Sequence, residues 1–422
     1  MSDTLVFGTP PLPAGRPAVG DPCLLLGPVQ LAPGGPADPL EPAPAEDLRT
    51  HLDRLGPRPT GSPALMTALD EAHLTGQGGA HVPVTAKWRR ALTGRGPLTV
   101  VANGAESEPV AAKDGTLLRQ RPHLVLDGLM IAAEALGAER AVVWLHGDDH
   151  GARQALLAAL RERPWVLGHP AVEILDGPVH YLAGEASAIA RAVHGGPALP
   201  TVRRHPQPGA PRTLVHNVET LARVALLARG QAPTGTRVLT VLGEGRAVVE
   251  VDARTTFADV LVDLGWTEAP QAVLLGGYGG MWARWARVAH LAVDESALAA
   301  EGLTLGAGVI APLGAWACGV HQTAGLLGYL ASMSARQCGP CVFGLPSLAE
   351  GMTALAAGRS GDGVARLLAD AAIVEGRGAC HHPDGATRLV ASAVSTFADD
   401  VAAHAAGRPC GAGDIAWPGV DS

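Results

Sequence analysis

Between residues 98 and 193, short apolar runs alternate with longer segments whose apolar positions fall three and four apart, and this constrains the fold more than any other feature. PLTVVANG, AVVWLHG and VEILDG have the length and glycine-bounded ends of buried strands. HLVLDGLMIAAEALGA, GARQALLAALRER and ASAIARAVHGG carry helical periodicity. An α/β layer architecture follows, ending near residue 230. Before it, the chain to Pro59 is rich in Pro, Ala and Gly, with one apolar patch, CLLLGPVQL, and a charged helical stretch, AEDLRTHLDRLG. That composition suits an extension (1–59) wrapped on a domain spanning 60–232. A helix is expected through ALMTALDEAHL to Gly76, where Gly76, Gly78 and Gly79 open a loop. From 235 to 300, VLTVLG, AVVEVD, FADVLVDLG and AVLLGG indicate a small mixed α+β module. The stretch 301–410 is mostly helical and suits a bundle, followed by a tail, 411–422.

At 47% hydrophobic and 17% charged, the 422 residues can bury a sizeable core. A net charge of -8 without a basic run argues against nucleic acid. Six cysteines are too few for a disulfide scaffold, and MSDTLVFGTPPLPAG lacks signal-peptide character, so a reducing cytoplasm is expected. Residues 302–335 carry no formal charge, but glycines at 302, 306, 308, 314 and 319, with Pro312 and His321, would break a lipid-exposed helix, and TLGAGVIAPL reads as a buried strand. No membrane insertion is expected.

Three segments carry chemistry. LTGQGGAHVPVTAKW sets Lys87 beside closely spaced glycines, a composition that suits a phosphate cradle and equally a tight turn. VVANGAESEP places Asn103, Glu106, Ser107 and Glu108 after a buried strand, where α/β sheets hold ligands, although a solvated acidic turn has the same pattern. ARQCGPCVFG supplies Cys338 and Cys341, and Cys380 follows in GRGACHHPDG. These thiols suit a soft metal centre, a zinc site completed by His381 or His382, dithiol exchange or an unliganded pair. Cys318 and Cys23 read as small packing residues.

Taken in order, GQGGAHVPVTAKW, VVANGAESEPVAAKD, LLRQRPHLVLDGLMIAAEALGA, YLAGEASAIARAVHG and LVHNVETLA resemble the NADH-binding flavoprotein subunit of respiratory complex I and its hydrogenase and formate-dehydrogenase relatives. The resemblance covers roughly Leu74 to His404. It implies a Rossmann-like FMN-binding domain, a ubiquitin-like SLBB module and a helical domain carrying an iron-sulfur cluster. Carried over, Gly76, Gly78, Gly79, Lys87, Asn103, Glu106, Ser107, His216, Asn217 and Thr220 would line FMN. Gly184, Glu185 and Glu108 would belong to the dinucleotide pocket, with NAD(P)H a candidate donor. Cys338, Cys341 and Cys380 would hold the cluster, [4Fe-4S] or [3Fe-4S].

The chain departs from the family pattern at Ala105 (an Asp), at His216 (an Asn), at His81-Val82 (a Gly-Phe pair), at Ala186 (a Glu) and at Ala335 (the first cluster cysteine). Losing aromatic and carboxylate surface should weaken dinucleotide binding by about a few kcal/mol unless His81 or Arg203 substitutes. His381, His382, Asp384, Cys410 and Cys318 are candidates for the missing cluster ligand. The resemblance implies an oxidoreductase subunit that moves electrons between FMN and the cluster and passes them to a ferredoxin-like or membrane redox protein. Such a chain would be cytoplasmic, peripheral to the inner face of the membrane through that partner. The rival is a non-catalytic scaffold of the same fold with structural zinc.

Overall fold

The computed structural model describes residues 25–26, 30–31, 45–163, 170–201, 209–231, 235–243, 245–359, 362–408, 410, 417 and 420. Cys23 and Arg203 lie outside them. The N-terminal segment gives strand β1 (Gln30–Leu31) and helix α1 (Leu48–Leu55); α2 (Leu65–Glu71) and α3 (Val84–Leu92) flank the glycine loop. The α/β layer then runs β2 (Leu98–Gly104), α4 (Lys113–Gln120), α5 (Pro122–Leu136), β3 (Arg140–His146), α6 (His150–Glu162), β4 (Val172–Gly177), α7 (Ala186–Ala192), β5 (Arg212–Asn217) and α8 (Val218–Ala228).

The first sheet has the order β4-β3-β2-β5, and every pairing is parallel. Helices cover it, so central β2 is buried almost throughout and reads as a continuous apolar run. Pro122 starts α5 at its first turn and so separates it from α4, where the missing N–H costs no helical hydrogen bond. Only Met130 and Glu134 of α5 escape burial. At Gly128 an added Cβ would lie 1.9 Å from the Leu221 carbonyl oxygen, so glycine permits the close approach of α5 to α8.

A buried charge cluster pins the N-terminal segment to this layer. Asp127 of α5 accepts from His51 Nε2 at 2.9 Å, from Arg163 at 2.8 Å and from Arg229. Glu46 accepts from His51 Nδ1 at 3.3 Å and Arg54 Nε at 2.7 Å. Burial works to raise the Glu46 carboxyl, yet the bonds to His51 and Arg54 hold it at about 2. Asp127→Ala should therefore cost about 3–5 kcal/mol in urea unfolding, because it strands buried cations. A loss below about 1 kcal/mol would show that the cations relax to water. A depressed carboxyl contributes stability above its unfolded value, so the Glu46 share is lost as pH falls from about 4.5 to about 2.

The second sheet comprises β6 (Thr236–Leu242), β7 (Arg246–Asp252), β8 (Ala272–Leu275), β9 (Met281–Arg284) and β10 (Val309–Leu313), with α9 (Phe257–Asp263), α10 (Trp285–Val288) and α11 (Glu295–Ala300) between strands. Its order is β1-β7-β6-β10-β8-β9, with β10 parallel to β6 and the other pairs antiparallel. The extension thus adds an edge strand, and Leu25 and Leu26 are buried with their amides on the Glu250 carboxylate. A boundary at residue 300 would cut β10 from its sheet. Its pairing with β6 and β8 places it centrally there, since a parallel partner can lie far away in sequence.

The helical end contains α12 (Gly319–Ser332), a π-helical turn at Pro340–Gly344, α13 (Leu345–Ala356), α14 (Gly363–Val374), α15 (His382–Thr396) and α16 (Ala398–Ala405). Leu326, Leu330, Leu348, Met352 and Leu389 fill its core. The Trp282 amide donates to Ser392 Oγ at 3.0 Å and joins the second sheet to α15. Among the described residues no helix is long and apolar enough to cross a membrane.

Candidate functional site

The glycine loop closes on itself before it meets anything else. Thr75 and Pro83 form an antiparallel bridge, and the Gly76 amide donates to the Val82 carbonyl at 2.9 Å. Gly79 and His81 have φ of 93° and 46°. Glycine adopts that region freely, whereas His81 stands in it at a position where the family pattern has glycine. The loop lies on the N-terminus of α8: the Gln77 amide donates to Thr220 Oγ1 at 2.8 Å, and a Cβ at Gly78 would sit 3.3 Å from Asn217 Cβ. Asn217 caps α8 through the Glu219 amide at 2.9 Å and donates to Asp114 at 2.5 Å. Gly76, Gly78, Gly79, Asn217 and Thr220 therefore form one patch.

Lys87 and His216 adjoin this patch. Lys87 Nζ donates to the Val215 carbonyl at 2.8 Å, no carboxylate among the described residues pairs with it, and burial lowers its pKa. His216 Nε2 accepts from Trp88 Nε1 at 3.0 Å, which puts the ring proton on Nδ1, a buried atom without a hydrogen-bond partner. Burial and the Lys87 charge hold this imidazole neutral, at about 3. A half-buried ammonium and a buried ring N–H beside a helix N-terminus make a donor set that fits a phosphate.

Room is another matter. The cavity under the loop, lined by Gln77, His81, Lys113, Glu219, Arg237 and Glu295, holds about 20 Å³. Ligand pockets for cofactors span about 300–1,000 Å³, so the donors fit an FMN phosphate whereas this cavity is too small for the ring. His81 Nε2 lies 3.3 Å from the Glu295 carboxylate inside this closed space.

The acidic loop divides. Asn103 donates from Nδ2 to the Gly184 carbonyl at 2.9 Å, Ser107 Oγ donates to the Ala105 carbonyl at 3.3 Å, and a Cβ at Gly184 would meet that carbonyl oxygen at 2.7 Å. Asn103, Ser107 and Gly184 thus meet. Glu106 turns away: it accepts from the Asp114 and Gly115 amides at 3.1 Å and satisfies the start of α4. Burial and the neighbouring Asp114 push its carboxyl up to about 7. Glu108 accepts from the Tyr278 amide and from Tyr181 Oη, both at 2.9 Å, and burial raises it to about 7. Glu185 caps α7, which begins at Ala186, through the Ser187 and Ala188 amides at 2.8 and 2.9 Å.

Residues that sequence reasoning passed over occupy the space between. Lys113 bridges Asp114 at 2.7 Å and Glu219 at 2.8 Å, and Glu219 accepts from Arg223. Lys113 and Asp114 stand in the AAKD that closes the acidic-loop motif, so the signal was present. Tyr181 packs against Tyr329 at 5.8 Å and His382 at 5.3 Å.

At the cysteine turn, Cys338 and Cys341 Sγ atoms lie 3.5 Å apart across the entry to the π-helical turn. Burial and the Cys338 hydrogen bond push the Cys341 thiol up to about 12, with further contributions from the charges of Cys338 and Cys380. Burial raises Cys380 to about 11, where it feels Glu185 as well as Cys338. Cys338 and Cys341 are adjacent, and Cys380 lies within range of their charge and of Glu185. Arg336, two residues before Cys338, has a left-handed φ of 53°. Cys338 and Cys341 are close enough to share one soft metal centre, whereas the three thiols are not all within 4.8 Å of one another.

The proposed fourth ligands divide by position. His381 is 83% exposed and bonded to Asp384 at 3.1 Å, and His382 gives Nε2 to the Leu330 carbonyl at 2.9 Å. Cys318 precedes α12, whose 14 residues separate it by about 21 Å of helix from the turn that carries Cys338. Cys410 lies 3.2 Å from His404 and within 4.8 Å of Cys318. Neither cysteine can complete the centre at Cys338 and Cys341.

Comparison with known proteins finds matches over the same two regions. Residues 69–226 match the Nuo51 FMN-binding domain, and residues 321–404 match the NADH-ubiquinone oxidoreductase-F iron-sulfur binding region. The NADH-quinone oxidoreductase F subunit of Streptomyces coelicolor is 27% identical over 378 residues, 82% of this chain and 84% of the relative. The F subunit of Aquifex aeolicus is 30% identical over 175 residues, 38% of this chain and 41% of the relative. An NAD+-reducing [NiFe]-hydrogenase in the H2-reduced state superposes with a TM-score of 0.73 at 23% identity, covering 87% of this chain and 65% of that chain, which speaks to fold. The chain therefore carries a flavin-binding and an iron-sulfur region matched in that order, and over most of its length it is similar to NADH-quinone oxidoreductase F subunits.

Proposed function

We propose that this chain is an electron-transfer subunit that holds FMN between the glycine loop and α8 and an iron-sulfur cluster on Cys338, Cys341 and Cys380. The observation that carries this reading is continuity between the two regions. Gly184 bonds Asn103 on the flavin side, Glu185 acts electrostatically on Cys380, and Tyr181 packs on His382. When bound, FMN supplies the exchange between two-electron and one-electron chemistry, and the cluster supplies one-electron carriage. Lys87 and His216 Nδ1 would bind the phosphate, with Gln77 and Thr220 releasing one another as the loop opens. Asn103 and Ser107 would orient the ring edge through the hydrogen bonds they now make to backbone. Glu106 and Glu108, raised to about 7, would keep negative charge low around the site below that pH.

A nicotinamide dinucleotide would find His81 and Val82 in place of glycine and an aromatic ring, and Ala186 in place of a carboxylate. NAD(P)H is therefore proposed as a weak donor. The relatives are named as subunits of larger enzymes, which supports a partner protein for this chain. Val342 and Phe343 stand exposed beside Cys341, and a ferredoxin-like or membrane redox partner could dock there to take electrons. Such a partner would hold the chain at the cytoplasmic face of the membrane.

The 3.5 Å spacing of Cys338 and Cys341 also suits one tetrahedral ion, which favours zinc on a non-catalytic scaffold as a second reading. Anaerobic purification with a visible spectrum and metal analysis separates the two. Flavin bands with iron support the first; a colourless, zinc-loaded turn that takes up neither FMN nor iron refutes it.

A further inference from the structure

A second group of soft ligands lies at the other end of α12. Cys318 Sγ is 3.5 Å and Cys410 Sγ 3.2 Å from His404 Nε2, and the three atoms all lie within 4.8 Å of one another. Zinc at about 2.3 Å from sulfur and 2.0–2.1 Å from nitrogen, in a tetrahedron, sets sulfur and nitrogen about 3.5 Å apart. The imidazole is already oriented. His404 Nδ1 lies 2.8 Å from the Ala356 carbonyl, which can only accept, so Nδ1 carries the proton and Nε2 presents its lone pair to the two thiols. Cys318 and His404 are buried and Cys410 is partly exposed. The His321 amide points at Cys318 Sγ from 3.5 Å, a donor that favours a thiolate.

We propose that Cys318, His404 and Cys410 bind a zinc ion, with a solvent molecule in the fourth position, and that this ion clamps the C-terminal segment to the bundle. Binding releases two thiol protons to solvent, and one Zn²⁺ with two thiolates leaves the buried site formally neutral. The ion displaces the long hydrogen bond from the Cys410 amide to Nε2, at 3.3 Å. Beyond the clamp, Trp417 stacks on Tyr278 at 6.1 Å and Trp282 at 5.9 Å.

The test uses the full chain carrying Cys338→Ser and Cys341→Ser, so that the other thiol turn contributes nothing. After equilibration with zinc and dialysis, about one equivalent should remain, and adding Cys410→Ser should lower it about tenfold or more. Cobalt in place of zinc should give tetrahedral d–d bands with thiolate charge transfer that vanish on the same change. In the otherwise unaltered chain, Cys410→Ser should remove one equivalent of zinc and leave iron unchanged, a readout that stands if the triple variant does not fold. Equal zinc with and without Cys410, or a Cys318–Cys410 disulfide seen by mass in place of bound zinc, overturns the proposal.

Discussion

Cys341→Ser should strip iron and its visible absorbance from the anaerobically purified chain about tenfold or more, with FMN content retained. The proposed centre has three protein sulfurs, because Ala335 stands where the family pattern has a fourth, and the substitution leaves two. Serine is nearly isosteric, and burying its hydroxyl costs about 1–3 kcal/mol, which a domain of this size tolerates. Circular dichroism and urea unfolding would verify that the fold survives. Cys318→Ser is the control, since α12 carries that thiol away from the turn, and its iron should match the parent. Iron retained at half or more after Cys341→Ser would place the cluster elsewhere.

Lys87→Ala should weaken FMN binding by about 2–3 kcal/mol, roughly 30- to 150-fold in Kd, the loss of one charge-assisted hydrogen bond. Its effect on the flavin-free protein has the opposite sign. The ammonium is partly desolvated with a carbonyl rather than a carboxylate as its partner, so its removal should leave stability unchanged or higher. Titration of flavin fluorescence gives the first quantity and denaturant unfolding the second. A change below about threefold in Kd would mean that the phosphate sits away from α3.

The alternation of residues 98–193 was legible because a buried parallel sheet and its covering helices impose two different periods on the chain. Strand β10 was recognised as a strand but assigned to the wrong body, since nothing local in TLGAGVIAPL reveals that its partner is β6. The glycine loop could be recognised from its composition. Its closed state could not, because that depends on Thr220 and Gly306, both distant in sequence. Glu106 stood in the right motif yet faces α4, whose first amides lacked a side-chain cap of their own and took its carboxylate. Cys318 and Cys410 are candidates for the missing cluster ligand by sequence, yet they lie together with His404 away from Cys338. The helical pattern VHQTAGLLGYLASM between Cys318 and Cys338 already held the length that separates them.

Glu108 ties three bodies with one carboxylate: it belongs to the α/β layer, takes the Tyr278 amide from the second sheet, and holds the phenol of Tyr181, whose ring rests on Tyr329 and His382 of the helices. Tunnelling rates decay exponentially with separation, so a pair of redox centres on either side of such a keystone would exchange charge at a gap that thermal breathing scarcely alters. Loosening that one oxygen pair would broaden the distribution of gaps without touching either centre.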